Sequence, residues 1–181
     1  DGVLLAALAE SENPKRILDI GTGTGVMTLM MAQRFPEAKV HAVEIDELAS
    51  ATASKNFQLS VFSERLAISN VAIEQYNNGE KFDLIISNPP YIAVYDASVE
   101  LVVRDYEPHL ALYAGTDGMD AHRQIISQAS EWLVTDGLLV LEIGHEQGPE
   151  IHNLLNENRF IDIEIRQDYS RRDRIALARK N

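Results

Sequence analysis

Apolar runs of strand length alternate with longer segments of helical spacing from one end of this chain to the other. The segment "DGVLLAALAE" (1–10) opens it with a helical pattern. "KRILDIG" (15–21) is a short apolar run closed by glycine and predicts a buried strand; "TGVMTLMMAQRF" (24–35) then has helical spacing and stops at Pro36. "KVHAVEI" (39–45) predicts a second strand, and "DELASATASKNFQLS" (46–60) a second helix with Asp46 as its N-cap. Strands are expected again at 65–71 and 81–87, followed by an irregular stretch over 92–117 that is too long for a plain connector. The spacing predicts a surface helix over 119–133 with Trp132 in the core, a strand over 137–144, and a helix that starts at "GPEIHNLLNEN" with Pro149 in its first turn. "FIDIEIRQD" and "RDRIALARK" alternate with period two and predict a terminal antiparallel pair. Seven strands taking turns with helices imply an α/β fold, a mostly parallel sheet covered on both faces. No repeat, low-complexity tract or linker interrupts the pattern, so residues 1–181 are expected to form one domain.

Composition narrows the function classes. Hydrophobic residues make up 45% and charged residues 24%, a balance that supports a real core. No apolar run approaches the roughly 18–20 residues of a membrane span, and no membrane partner is expected. The chain has no cysteine, which rules out disulfides and thiolate metal sites and makes a cytoplasmic location the default. Its five histidines lack metal-ligand spacing, and "HEQGP" lacks the second His of a zinc-protease helix, so no metal is expected. The net charge of −12, from 16 Lys and Arg against 28 Asp and Glu, weighs against stable binding of a nucleic-acid backbone. The one basic cluster, "RQDYSRRDR", is interleaved with acids and reads as a solvated hairpin face. A start at Asp1 inside a helical pattern is what a piece of a longer protein would show.

Candidate chemistry begins at "LDIGTGTG", where Gly21, Thr22, Gly23 and Gly25 separate the first strand from the first helix. Glycines let the backbone turn sharply and approach a ligand closely. The spacing is neither that of a dinucleotide fold nor that of a phosphate loop. Asp19, two positions ahead of the glycines, is a poor neighbour for a pyrophosphate and a good one for a cation. Glu44 ends the second strand, where a carboxylate can accept both hydroxyls of a ribose. An adenosyl ligand carrying positive charge meets all three conditions, and S-adenosyl-L-methionine is the expected cofactor.

The segment "SNPPY" (87–91) leaves the strand "FDLIIS", which is expected beside the first strand. Prolines stiffen the exit, so the Asn88 side-chain oxygen and the Pro89 carbonyl can stand as a preorganised pair of acceptors. Two acceptors hold the hydrogens of an –NH2 group and aim its lone pair at a methyl donor. Tyr91 can lie flat on a planar amide or heteroaromatic base. Asn88, Pro89, Pro90 and Tyr91 are therefore the expected catalytic segment, with Asn88 also facing the cofactor.

Together these motifs resemble the Rossmann-like class I S-adenosylmethionine-dependent methyltransferases that modify planar amino groups. From Ile92 onward, "VVRDYEPHLALYAGTDGMDAHRQII", "LEIGHEQG" and "RDRIALA" are similar to the HemK (PrmC) family, which methylates the glutamine side-chain amide of release factors. From Asp1 to about Tyr91, "DGVLLAALA", "ERLAI" and "EKFDLIISNPPY" are similar to the YfiC (TrmN) family, which methylates an adenine amine in tRNA. The resemblance implies cofactor contacts from Asp19, Gly21, Gly23 and Glu44, with Ile45 packing on the adenine. At the position where the family places an Asp near the adenine amine, this chain has Ala72; Glu74 stands two residues on and could compensate only if its loop shifts. The expected activity is N-methylation of a release-factor glutamine, with adenine N6-methylation of tRNA as the alternative. A third alternative is a hybrid scaffold, joined near 87–92, that folds and binds cofactor without turnover.

Overall fold

The computed structural model describes Leu5 and residues 11–77, 79–92 and 114–181. Strand β1 (Arg16–Ile20) leads into helix α1 (Val26–Arg34), β2 (Lys39–Glu44), α2 (Glu47–Leu59) and β3 (Leu66–Asn70). The chain then returns to β4 (Phe82–Ser87), and continues with α3 (Asp120–Trp132), β5 (Leu133–Glu142), α4 (Gly148–Glu157), β6 (Phe160–Gln167) and β7 (Asp173–Lys180). The strands form a single sheet in the order β3-β2-β1-β4-β5-β7-β6. β1 to β5 are mutually parallel, while β7 runs antiparallel to both β5 and β6. This is the mostly parallel sheet that the alternation predicts and the Rossmann-like fold that the resemblance implies, with the expected strand pair at the end.

Period-two alternation gives the sheet its two faces. Ile17, Leu84, Ile86, Leu138 and Val140 pack with Met27 and Met31 of α1 and with Leu5. Leu18, Ile20, Ile85, Leu139 and Leu141 point the other way, against Ile125 and Ile126 of α3 and Ile151 and Leu155 of α4. Trp132 is buried here as expected and meets Tyr76 edge-on, with ring centroids 6.4 Å apart. The basic cluster is the β6–β7 turn: Arg171 and Arg172 are exposed, and the Asp168 carboxylate accepts from the N–H groups of Ser170 and Arg172.

One expectation differs in its bounds. β5 begins at Leu133, directly after α3, rather than at 137. Phe82 pairs with Leu133, and the register then jumps to Leu84 opposite Leu138. Residues 134–136 form that irregularity, with Asp136 at φ 61°, and the polar Thr135 and Asp136 mask the strand's start in the hydropathy pattern. The helix expected over 1–10, apart from Leu5, and residues 93–113 of the long irregular stretch lie outside the described residues.

Arg65 secures the end of α1. Its guanidinium donates to the carbonyl of Ala32 (2.9 Å), in the last turn of the helix, and to those of Phe35 (3.3 Å) and Ala38 (2.5 Å) in the turn that follows. Arg65→Met keeps most of the stem and removes these bonds, so urea unfolding is expected to show a loss of about 1–3 kcal/mol. A midpoint equal to the parent's would mean that solvent satisfies these carbonyls equally well.

Candidate active site

The parallel strand order reverses at β1, whose outer neighbours are β2 on one side and β4 on the other. Crevices outside the carboxyl ends of strands at such a point are where open α/β sheets bind ligands. The carboxyl ends of β2, β1 and β4 bring together Glu44, the 21–25 turn and the segment starting at Asn88. Ile20 pairs with Ser87 in register, so Gly21 and Asn88 leave the sheet side by side.

Asp19 lies wholly buried beneath the turn. Its Oδ2 accepts hydroxyl bonds from Thr22 and Thr28, both at 2.6 Å, and its Oδ1 has no partner among the described residues. Burial pushes the carboxyl up from 3.8 to about 6, against the pull of the two hydroxyls. Above it, the N–H groups of Gly21 and Thr22 donate to the Val43 carbonyl at 2.8 and 3.3 Å, fastening the turn to β2. Gly21 and Gly23 have φ of 72° and 59°, and nothing lies within 4 Å of where a Cβ would stand, which leaves an open backbone cradle. Gly25 has a different reason to be glycine: a Cβ there would come within 2.5 Å of the Phe57 ring on α2.

Glu44 is 8% exposed at the end of β2. Its Oε2 accepts from the Gly23 N–H at 2.8 Å and its Oε1 from the Asp46 N–H at 2.9 Å. Each oxygen retains a lone-pair site for a ligand hydroxyl. Ile45, 59% exposed, offers an apolar surface beside it. Ala72 follows β3 at the same edge, where the Val71 N–H donates to the Glu44 carbonyl at 3.1 Å, but it brings only a methyl group. Glu74, two residues on, accepts a hydrogen bond from Gln124 of α3, which holds its carboxylate below its ordinary pKa.

At the end of β4, the buried Ser87 hydroxyl donates to the Ile20 carbonyl at 2.7 Å. Asn88 is half-buried, Pro89 buried, and Pro90 and Tyr91 half-buried. The Tyr91 hydroxyl donates to Glu142 Oε1 at 3.3 Å, and burial followed by the Glu142 charge raises the phenol's pKa.

Several contributors carried no local signal. Thr28 completes the Asp19 cradle from nine residues away. Asn70 on β3 donates through Nδ2 to the carbonyls of Glu44 and Ile45 at 2.8 and 3.1 Å, which fixes the β2 exit. Ser87 and Glu142 act across neighbouring strands. Among the described residues no group of three or more His, Asp or Glu could hold a metal ion, and no helix is long and apolar enough to cross a membrane.

The model of the methyltransferase small domain family matches residues 2–105. The chain belongs to this family. A release factor glutamine methyltransferase from Clostridium acetobutylicum is 36% identical over 173 residues, 93% of this chain and 60% of that protein. A tRNA1(Val) (adenine(37)-N6)-methyltransferase from Pedobacter heparinus is 58% identical over 91 residues, 50% of this chain and 39% of that protein. The chain thus spans no more than about 60% of the length of either relative. Among solved structures, the ribosomal protein L11 methylase of Lactobacillus delbrueckii subsp. bulgaricus shares the fold at a TM-score of 0.68 and 22% identity, covering 99% of this chain and 77% of that one. A match of 173 residues necessarily crosses positions 87–92, so a relative of one kind runs through the expected seam and a hybrid is not favoured.

An unpartnered carboxylate oxygen, an open glycine cradle and an accepting Glu44 fit a ligand with hydroxyls and a positive charge, and would repel a pyrophosphate. The same carboxyl sets a pH dependence. The unfolded chain ionises Asp19 near 3.8 and the folded chain near 6, so between these values the folded state holds more proton and stability falls as pH rises. Asp19→Asn is expected to gain stability relative to the parent by on the order of 2–3 kcal/mol between pH 4 and pH 7. Urea titrations at both pH values check this, and a constant difference would show that Asp19 does not titrate in that window.

Proposed function

We propose that this chain is an S-adenosylmethionine-dependent N-methyltransferase that acts on the glutamine side-chain amide of a release factor. The observation that carries the reading is the juxtaposition of the Asp19–Gly25 turn, Glu44 and the Asn88–Tyr91 segment at one sheet edge; the 93% coverage by a release factor glutamine methyltransferase supports the acceptor class. Residues 1–181 act as one domain in this reading, in keeping with seven strands in one sheet.

In this assignment Glu44 accepts the ribose hydroxyls, Ile45 and Ala72 flank the adenine, and Gly21, Thr22 and Gly23 line the backbone cradle. Asp19 beneath the cradle supplies negative charge toward the cationic end. Bound S-adenosylmethionine supplies an electrophilic methyl group on a sulfonium. Asn88 Oδ1 and the Pro89 carbonyl accept the two hydrogens of the acceptor –NH2, disperse charge that develops on nitrogen, and aim its lone pair. Tyr91 stacks on the acceptor plane, and Pro89 and Pro90 limit the motion of the pair.

The second reading, adenine N6-methylation of tRNA, is favoured by the 58% identity to the Pedobacter heparinus enzyme over half of this chain. The net charge of −12 opposes it, since few phosphates could be neutralised. Methyl transfer to a release factor and to tRNA, each at saturating cofactor, separates the two. Transfer to tRNA alone would overturn the first reading. Cofactor binding without transfer to either would leave only a binding scaffold.

Glu44→Gln keeps the size of the side chain but loses its charge and one acceptor, so calorimetry is expected to show cofactor affinity lower by about 1.5–3 kcal/mol. Unchanged affinity in the folded variant would remove Glu44 from the cofactor site. Asn88→Ala is expected to leave melting temperature and cofactor affinity near the parent's. Its single-turnover transfer rate should fall by roughly 100-fold or more. A variant that transfers at the parent rate, or that melts early, would make residues 88–91 a stiff turn only.

A further inference from the structure

We propose that Glu142 and Gln147, at the two ends of the turn that follows β5, are positioning residues that clamp Tyr91 at both its phenol and its backbone. The inference rests on the reading of residues 88–91 as the acceptor site.

Glu142 closes β5 and is 1% exposed. Its Oε1 receives the Tyr91 hydroxyl at 3.3 Å, while its Oε2 is buried without a hydrogen-bond partner among the described residues. Its backbone is held from the other face of the sheet, where His122 Nε2 of α3 donates to the Glu142 carbonyl at 2.8 Å. The carboxylate therefore stands on a fixed strand end, not on a loop.

Among the described residues, the Gln147 side chain directs its bonds to three segments of the same corner. Its Oε1 accepts from the Gly144 N–H at 2.8 Å, which locks the side chain across its own turn. Its Nε2 then donates to the Tyr91 carbonyl at 3.2 Å and to the Gly118 carbonyl at 3.1 Å. Gly118 presses on the same carbonyl: with φ at 76°, a Cβ there would sit 2.4 Å from Tyr91 O. The peptide after Tyr91 is thus enclosed by Gln147 and Gly118, and the far end of the side chain is tethered to Glu142.

Fixing both ends of a tyrosine sets its ring plane before any acceptor arrives. That matters for a ring that stacks on a planar amide, because productive geometry tolerates displacements of only about 0.5 Å. A buried carboxylate with one oxygen unpartnered is a costly way to fill a core position. Burial raises the Glu142 carboxyl and the Arg174 guanidinium opposes that rise. An apolar residue would fill the space at lower cost but could not receive the phenol.

The test uses Glu142→Met, which keeps the volume and removes the acceptor, Glu142→Gln, which keeps an accepting oxygen, and Tyr91→Phe. With ring-13C tyrosine, the Tyr91 Cζ resonance is identified by its loss in Tyr91→Phe. It is expected to shift in Glu142→Met and to stay near the parent position in Glu142→Gln. With a release factor as acceptor, Glu142→Met and Tyr91→Phe should each lower kcat/KM about tenfold with cofactor affinity unchanged, and the double variant should lose no more than either alone. Gln147→Met should also shift the Cζ resonance. A Cζ resonance unmoved in Glu142→Met, or single losses that multiply in the double variant, would overturn the clamp. Should the parent transfer methyl to no acceptor, the acceptor reading fails by itself, and the resonance still decides the clamp.

Discussion

The hydrogen bond from the Ser87 hydroxyl to the Ile20 carbonyl ties together the two strand ends on which the whole ligand edge is built. It is buried, where a hydrogen bond is electrostatically stronger than one exposed to water. Because Ile20 and Ser87 are also paired in register, the bond sets the height at which the glycine turn and the Asn-Pro-Pro-Tyr segment leave the sheet. A slip of one residue would turn every side chain of β4 to the opposite face and carry Asn88 away from the turn. The packing of Leu84 and Ile86 on one face and Ile85 on the other resists that slip.

Around this edge the protein gathers buried acids in a chain that is already acidic. Asp19, Glu44 and Glu142 all lie within the least exposed tenth of their possible surface. Hydroxyls offset the cost for Asp19, backbone N–H groups for Glu44, and a phenol and a guanidinium for Glu142. The compensation is incomplete, since Asp19 and Glu142 each keep an oxygen without a partner among the described residues. A binding edge that holds uncompensated negative potential in a low-dielectric setting is suited to a cationic ligand and hostile to a phosphate.

Much of this could be read along the chain, and the exceptions share a cause. The parallel sheet, the terminal strand pair, the Asp46 cap and the glycine turn follow from local pattern, and Ala49 N–H donating to Asp46 Oδ1 at 2.7 Å is the bond that a helix start there requires. The start of β5 was hidden because Thr135 and Asp136 sit in a register irregularity, which breaks the apolar run without ending the strand. Thr28, Asn70 and Gln147 look like ordinary polar residues until the fold sets them against Asp19, the β2 exit and Tyr91. Their partners are 9, 26 and 56 positions away, beyond any periodicity. Gly25 shows the reverse, a residue legible as important whose packing reason, Phe57, lies on another helix.

Asn70 belongs to β3, which forms one margin of the sheet and is paired on one side only. Marginal strands open first in local unfolding, and their amide hydrogens exchange with solvent ahead of the central strands. Each opening of β3 releases the carbonyls of Glu44 and Ile45 from the Asn70 amide and loosens the β2 exit. Occupancy of that exit and protection of β3 are therefore linked equilibria. A ligand that grips Glu44 slows hydrogen exchange along a strand it need not touch, and a substitution that frays β3 weakens that ligand from a distance.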